Sequence, residues 1–77
     1  MRLSNLKKGQ KARIIAIHSG QSFYRQRLIS MGLLPGTELH VTRIAPLGDP
    51  VEITVRGFAL TLRKNEANIL ELEQVSA

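Results

Sequence analysis

Hydrophobic and polar residues alternate along several short stretches of the chain, as they do in strands with one buried face. The clearest stretches are Val51–Arg56 and Phe58–Arg63, which flank Gly57 and predict a hairpin turning at or beside Arg56-Gly57. Similar but less regular patterns predict three further strands, at Lys11–Ile17, Glu38–Ile44 and Ile69–Val75. The pattern therefore predicts five short strands.

One segment has helical periodicity. Tyr24, Leu28 and Met31 recur at the spacing i, i+4, i+7, which predicts a short helix over residues 22–31 with Ser22 as its N-cap. Before this helix, His18-Ser19-Gly20 breaks the first strand. Lys64–Asn68 is expected to form a single helical turn.

Glycine and proline mark where these elements end. Gly32 follows the helix, where glycine readily takes the left-handed conformation that terminates a helix. Pro35-Gly36 suits the two central positions of a type II turn. The stretch 45–50 holds two prolines and predicts a loop, with Asp49 ending the turn through an Asx-type hydrogen bond.

Five strands in a chain of 77 residues have few partners against which to bury their apolar faces. Closing the sheet into a small, strongly bent, SH3-like barrel solves this problem. We expect a mainly β fold: a single domain over residues 1–77, with one short helix inserted after the first strand to cap the barrel. Because the chain has two Phe, one Tyr and no Trp, its core is expected to be aliphatic.

The sequence lacks the residue combinations of catalytic and metal sites. It has no cysteine, and its two histidines, His18 and His40, have no third ligand at a suitable spacing. No serine has a recognisable triad, and no glycine-rich phosphate loop is present. We expect no enzymatic activity, no cofactor and no metal ligand. The longest apolar run, Ile14–Ile17, is too short to cross a membrane, and we expect a cytoplasmic protein.

Charge is distributed unevenly along the chain. The net charge is +5, and seven basic residues but no acidic residue precede Glu38. A basic half suggests an anionic partner, which could be nucleic acid, an acidic protein surface or the cytoplasmic face of a membrane. The alternative is that these charges only keep the protein soluble.

Three stretches together resemble the FeoA family, the small cytosolic accessory proteins of bacterial ferrous-iron transport. They are residues 24–36 (YRQRLISMGLLPG), residues 45–53 (APLGDPVEI) and residues 60–69 (LTLRKNEANI). Each motif alone is a weak signal, since Gly-Leu-x-Pro-Gly is generic turn chemistry, but the three occur in this order and the resemblance extends over nearly the whole chain. The resemblance implies an SH3-like barrel without catalytic activity.

The resemblance also implies a partner. Members of the family are thought to bind and regulate the cytoplasmic part of a membrane ferrous-iron transporter that carries a cytosolic G-domain. The chain would then reach the membrane only through that partner. Two alternatives stay open, a small barrel that binds Fe(II) or Mn(II) as a transition-metal sensor and a nucleic-acid-binding barrel. We expect no nucleic acid, because the aromatic residues form no stacking platform on a strand. Exposed edge strands would permit a homo-oligomer.

The matching positions are expected to serve as turns or as a partner-binding surface. The predicted structural turn residues are Gly32, Pro35, Gly36, Pro46, Gly48, Asp49 and Pro50. The predicted partner-binding residues are Tyr24, Arg25, Arg27, Leu28, Met31 and Leu33. Among these, Leu28 and Met31 lie on the helix face, and a core role is the default expectation for both. Leu33 or Leu34, if exposed, would form a docking patch rimmed by the two arginines. Arg63 is expected to pair with Glu66 and hold the turn that follows.

Overall fold

The computed structural model describes residues 1–18 and 22–75, apart from the side chain of Ser22. In chain order these residues form a 3₁₀ turn (Leu3–Asn5), β1 (Lys11–Ile17), α1 (Ser22–Ser30), β2 (Glu38–Ile44), β3 (Val51–Val55), β4 (Phe58–Leu62), α2 (Lys64–Ala67) and β5 (Leu70–Val75). The predicted strand break at Ser19-Gly20 and the predicted N-cap side chain of Ser22 lie outside the described residues.

The five strands form one antiparallel sheet in the order β4-β3-β2-β1-β5. The register is interrupted between Ile14 and Ala16 of β1 and between Val41 and Arg43 of β2. Such bulges bend a strand and increase its twist, so the sheet curves around its inner face. No ladder joins β4 to β5 in the described ranges, and the barrel-like sheet is not closed by strand pairing. The predicted fold class, mainly β with one helix after the first strand, is confirmed.

The inner face of the curved sheet holds an aliphatic core. Its largest fully buried side chains come from the 3₁₀ turn, from every strand, from α1 and from the turn after α1: Leu3, Ile14, Leu28, Leu33, Val41, Ile53, Val55, Leu62, Leu70 and Leu72. Burying one such side chain stabilises the fold by roughly 1.5–3 kcal/mol. Phe23 and Phe58 lie outside the core, with 69% and 45% of their surfaces exposed. The prediction of an aliphatic core is therefore confirmed.

Helix α1 ends in a Schellman motif. The Leu33 N–H donates to the Leu28 carbonyl at 3.0 Å, and the Gly32 N–H donates to the Ile29 carbonyl at 2.9 Å. Gly32 has φ +87°, as predicted for the residue that stops the helix. The last helical residue is Ser30, one residue before the predicted end.

Two tight turns follow their predictions. Around Pro35-Gly36, the Thr37 N–H donates to the Leu34 carbonyl at 3.0 Å and Gly36 has φ +93°, as a type II turn requires. Arg56 and Gly57 join β3 to β4 with φ values of +51° and +85°. Positive φ at both positions of a two-residue loop is the type I′ geometry, whose twist matches that of the strands.

A few boundaries differ from the predictions. Strands β3 and β4 each end one residue early, because Arg56 belongs to the hairpin turn and Arg63 precedes α2. The predicted turn after Arg63 is a short α-helix, and β5 begins at Leu70. The 3₁₀ turn at Leu3–Asn5 was not predicted. Within the described residues, no helix has the length and apolar character needed to span a membrane.

Candidate functional site

The predicted partner-binding surface lies on α1 and the turn after it, and the structure corrects two of its members. Leu28 and Leu33 are both fully buried. They occupy the two positions of the Schellman motif whose side chains pack together, which draws Leu33 inward. Neither side chain is available to a partner in this structure. Leu34, the next residue, is 41% exposed and satisfies the condition set for the docking patch.

The remaining predicted residues of α1 are more accessible than Leu28. Arg25 is exposed, Tyr24 is half-buried, and Met31 packs partly against the core. Phe23 meets Tyr24 edge to face, with ring centroids 5.6 Å apart. We define the α1 surface as Phe23, Tyr24, Arg25 and Leu34, which combine exposed apolar area with a cation.

Arg27, also predicted to bind a partner, is engaged within the chain. Its Nε forms an ion pair with Oε2 of Glu66 in α2, whose side chain is only 7% exposed. The Arg63 N–H donates to Oε1 of the same carboxylate at 3.1 Å. The predicted Arg63–Glu66 contact therefore exists as a backbone hydrogen bond, while the charge of Glu66 is balanced by Arg27. This pair joins the two helices.

Asp49 also differs from its prediction. Its Oδ1 accepts a hydrogen bond from the Lys64 N–H at 2.9 Å, so it caps α2 rather than closing its own turn. The loop turns instead through the Gly48 N–H, which donates to the Ala45 carbonyl at 2.8 Å, with Gly48 at φ +85°. The Asp49-Pro50 peptide bond is cis. The two-proline loop is thereby tied to α2, and Pro46, Gly48 and Pro50 lie in this loop as predicted.

An apolar cleft of about 270 Å³ opens between the 3₁₀ turn, the two-proline loop and α2. Leu47 stands at its rim with 96% of its surface exposed. The apolar lining comes from four separate parts of the chain: Leu3, Leu6, Ile44, Leu47, Val51, Leu62 and Ala67. No pattern in the sequence predicted this cleft, and its one local signal is a leucine inside a Pro/Gly/Asp loop.

A polar groove of about 330 Å³ lies beside the apolar cleft, between α1 and α2. Its lining includes Tyr24, Arg63 and Asn65, and it shares Asp49 and Lys64 with the cleft. The groove thus connects the α1 surface, through Tyr24, to the apolar cleft.

The two histidines lie at opposite ends of β1. His40 is paired with Lys11 at the start of the strand, whereas His18 follows its end and contacts Oε1 of Glu71 at 2.9 Å. Glu71 also accepts a hydrogen bond from the Met1 ammonium at 2.6 Å. The pKa of Glu71 is lowered to about 2, chiefly by the hydrogen bond from the Met1 ammonium and secondly by the hydrogen bond with His18. Residues 1–18 and 22–75 contain no cluster of three or more His, Cys, Asp or Glu residues suited to a metal ion.

Comparison with known proteins identifies the family. A family model described as the FeoA domain matches residues 1–74. The chain belongs to the FeoA domain family. This FeoA chain is also 35% identical, over 77 residues, to an Fe(2+) transport protein A/Fe(2+) transporter FeoB fusion protein of Porphyromonas gingivalis. The alignment covers 100% of this chain but only 9% of that relative.

Solved structures agree with the fold of the FeoA chain. The NMR structure of a FeoA-like protein from Clostridium acetobutylicum is 32% identical with a TM-score of 0.89, covering 100% of this chain and 88% of that one. The crystal structure of Stenotrophomonas maltophilia FeoA complexed with zinc, described as a procaryotic SH3 domain protein, has a TM-score of 0.82. It is 24% identical and covers 95% of this chain and 89% of that one, and at this identity it supports the SH3-like fold alone.

Proposed function

We propose that this chain is a non-enzymatic accessory protein of Fe(II) uptake that binds the cytoplasmic part of the ferrous-iron transporter. The observation that carries the proposal is the Porphyromonas gingivalis relative, in which a homologous FeoA domain and the transporter FeoB form one polypeptide. Fusion keeps two domains at high effective concentration, which is useful when they act on each other. The family membership and this fusion support a role in Fe(II) transport.

The α1 surface is the first candidate for this contact. Leu34 and Phe23 supply exposed apolar area, and Arg25 has no ion-pair partner among the described residues. Apolar anchors with an arginine at their edge are common in protein interfaces. Leu34 is also held firmly, because the Schellman motif precedes it and the type II turn begins at it. A rigid anchor loses little conformational entropy on binding.

The test is a binding measurement against the detergent-solubilised transporter and against its isolated G-domain. Wild type is compared with Leu34→Asp, which places a charge in the α1 surface. Phe58→Asp is the matched control, because Phe58 is 45% exposed and lies at the start of β4, outside that surface. Circular dichroism confirms that each variant is folded.

We expect wild type and Phe58→Asp to bind the transporter and Leu34→Asp to bind at least about tenfold more weakly, since a buried leucine contact is worth about 1.5–3 kcal/mol. Binding to the isolated G-domain would place the contact there. If wild type binds neither bait at low salt with nucleotide present, the proposal fails, and the Fe(II)/Mn(II) and nucleic-acid alternatives should be titrated next.

A further inference from the structure

The apolar cleft and the polar groove are adjacent. They share two lining residues, Asp49 and Lys64, which are joined by the hydrogen bond from the Lys64 N–H to Oδ1 of Asp49. One side is lined by aliphatic side chains and the other by Tyr24, Arg63 and Asn65. An extended chain crossing from the cleft to the groove would place neighbouring side chains in two different environments.

Some of the charged groups that line the groove are paired within the chain, and others are not. Of the two carboxylates that line it, Glu66 is paired with Arg27, whereas Asp49 accepts the Lys64 N–H, which occupies one oxygen but leaves its charge in place. By contrast, the guanidinium of Arg63 and the ammonium of Lys64 form no ion pair in the part of the chain that the structure describes. Both residues are exposed. With Glu66 balanced by Arg27, the two cations outnumber the one remaining carboxylate, Asp49, so the groove favours an added anionic group near Arg63 and Lys64.

The apolar cleft is large enough for one large side chain. Its volume is about 270 Å³, and a dry cavity of roughly 150 Å³ accommodates benzene. Leu47, 96% exposed at the rim, offers a further apolar surface to a side chain that enters the cleft. An inorganic phosphate or a lipid headgroup would satisfy the groove but leave the cleft and Leu47 uncovered, whereas a peptide can fill both.

We propose that the apolar cleft and the polar groove together bind an extended protein segment in which a large apolar residue is followed or preceded by acidic residues. The apolar side chain occupies the cleft beside Leu47, and the carboxylates lie against Arg63 and Lys64. The source of the segment rests on the proposed function: it belongs to the cytoplasmic part of the transporter. Contact at the α1 surface then continues through Tyr24 into the groove.

The first test uses synthetic peptides as probes. Amide chemical shifts of the ¹⁵N-labelled protein are followed while three capped peptides are added: a Leu-Phe pair flanked by acidic residues, the same pair flanked by lysines, and the acidic residues flanking Ala-Ala. We expect saturable shifts at Leu47, Lys64 and Ala67 with the first peptide, and at least about fivefold weaker binding of the other two, from the loss of one exposed charge or apolar contact. Equal binding of all three, or no shifts at these residues, overturns the proposal.

The second test uses matched variants with both the acidic peptide and the solubilised transporter. Lys64→Glu reverses a charge in the groove, and Lys8→Glu makes the same change in net charge on an exposed turn elsewhere. Leu47→Asp removes the apolar rim, and Leu47→Met preserves its volume. We expect Lys64→Glu and Leu47→Asp to weaken binding roughly fivefold or more and the two controls to bind like wild type.

The outcomes separate this inference from the proposed function. If wild type does not bind the transporter but the peptide shifts persist, the proposed function fails and the peptide site stands. If the transporter binds and Leu34→Asp abolishes binding while Lys64→Glu and Leu47→Asp have no effect, the peptide site is wrong and the proposed function stands. Concentration-dependent shifts at Leu47 without any peptide would show that a second copy of the chain occupies the cleft, which also overturns the inference.

Discussion

Leu33 and Leu34 are adjacent leucines whose truncation to alanine is expected to destabilise the protein by very different amounts. Leu33 is fully buried, whereas Leu34 is 41% exposed. Leu33→Ala removes buried methyl groups at a site where the Schellman hydrogen bonds hold the backbone in place, so the cavity can collapse only in part. Large-to-small changes of this kind cost about 2–5 kcal/mol, and we expect about 3 kcal/mol. Leu34→Ala should cost less than about 1 kcal/mol.

These differences are large for a protein of this size. A domain of 77 residues has a total stability of about 4–12 kcal/mol. Leu33→Ala should therefore lower the melting temperature by roughly 12–24 °C, at about 4–8 °C per kcal/mol for a domain of this length. Urea unfolding followed by far-UV circular dichroism measures both variants, because the chain has no Trp and a single Tyr for fluorescence. The m-values should stay equal, since the surface exposed on unfolding hardly changes.

A clear result would refute this argument. If the two variants unfold at the same urea concentration with the same m-value, Leu33 is not the buried member of the pair. The Schellman packing would then be wrong, and Leu33 would return to the list of candidate contact residues.

Three further predictions concern ion pairs and a turn. Arg27→Ala should lower the free energy of unfolding by about 1–2 kcal/mol, because the substitution leaves the nearly buried Glu66 carboxylate without its cation. In the same urea assay, Arg25→Ala should change the free energy of unfolding by less than about 0.5 kcal/mol. The pKa of Glu71 is lowered from 4.5 to about 2 in the folded protein, so its contribution to stability is present above pH 4.5 and is lost as the pH falls towards 2. Urea midpoints measured across this range should show a smaller loss of stability for Glu71→Gln than for wild type; equal losses would contradict the pairing. Arg56→Asn should raise the free energy of unfolding by roughly 0.5–1 kcal/mol, because asparagine tolerates the φ of +51° better, and a lower urea midpoint would argue against the type I′ turn.

Much of the local structure was predictable from short segments. The alternating pattern identified the five strands to within a residue at nearly every end, and Gly32, Pro35-Gly36 and Arg56-Gly57 marked turns that the structure contains. These features depend on side-chain period and on which residues tolerate positive φ, and both are properties of a few consecutive residues.

The candidate site was only partly predictable. The helical spacing placed Leu28 on the buried face of α1, but nothing local distinguished Leu33 from Leu34, because their exposure depends on how the Schellman motif packs against the core. Arg25 and Arg27 look equivalent in the sequence. Only the docking of α2 beside α1 gives one of them a carboxylate partner.

The sequence by itself determined the strands, the helix, the turns and, through the order of its motifs, the resemblance to the FeoA family. Only the tertiary structure decided where the sheet bends, since the bulges in β1 and β2 follow from pairing between distant strands. It also created the apolar cleft and the polar groove, whose linings come from the 3₁₀ turn, the two-proline loop and both helices. The periodicity of a sequence indicates which residues become buried, but not which distant residues contact each other in the folded protein.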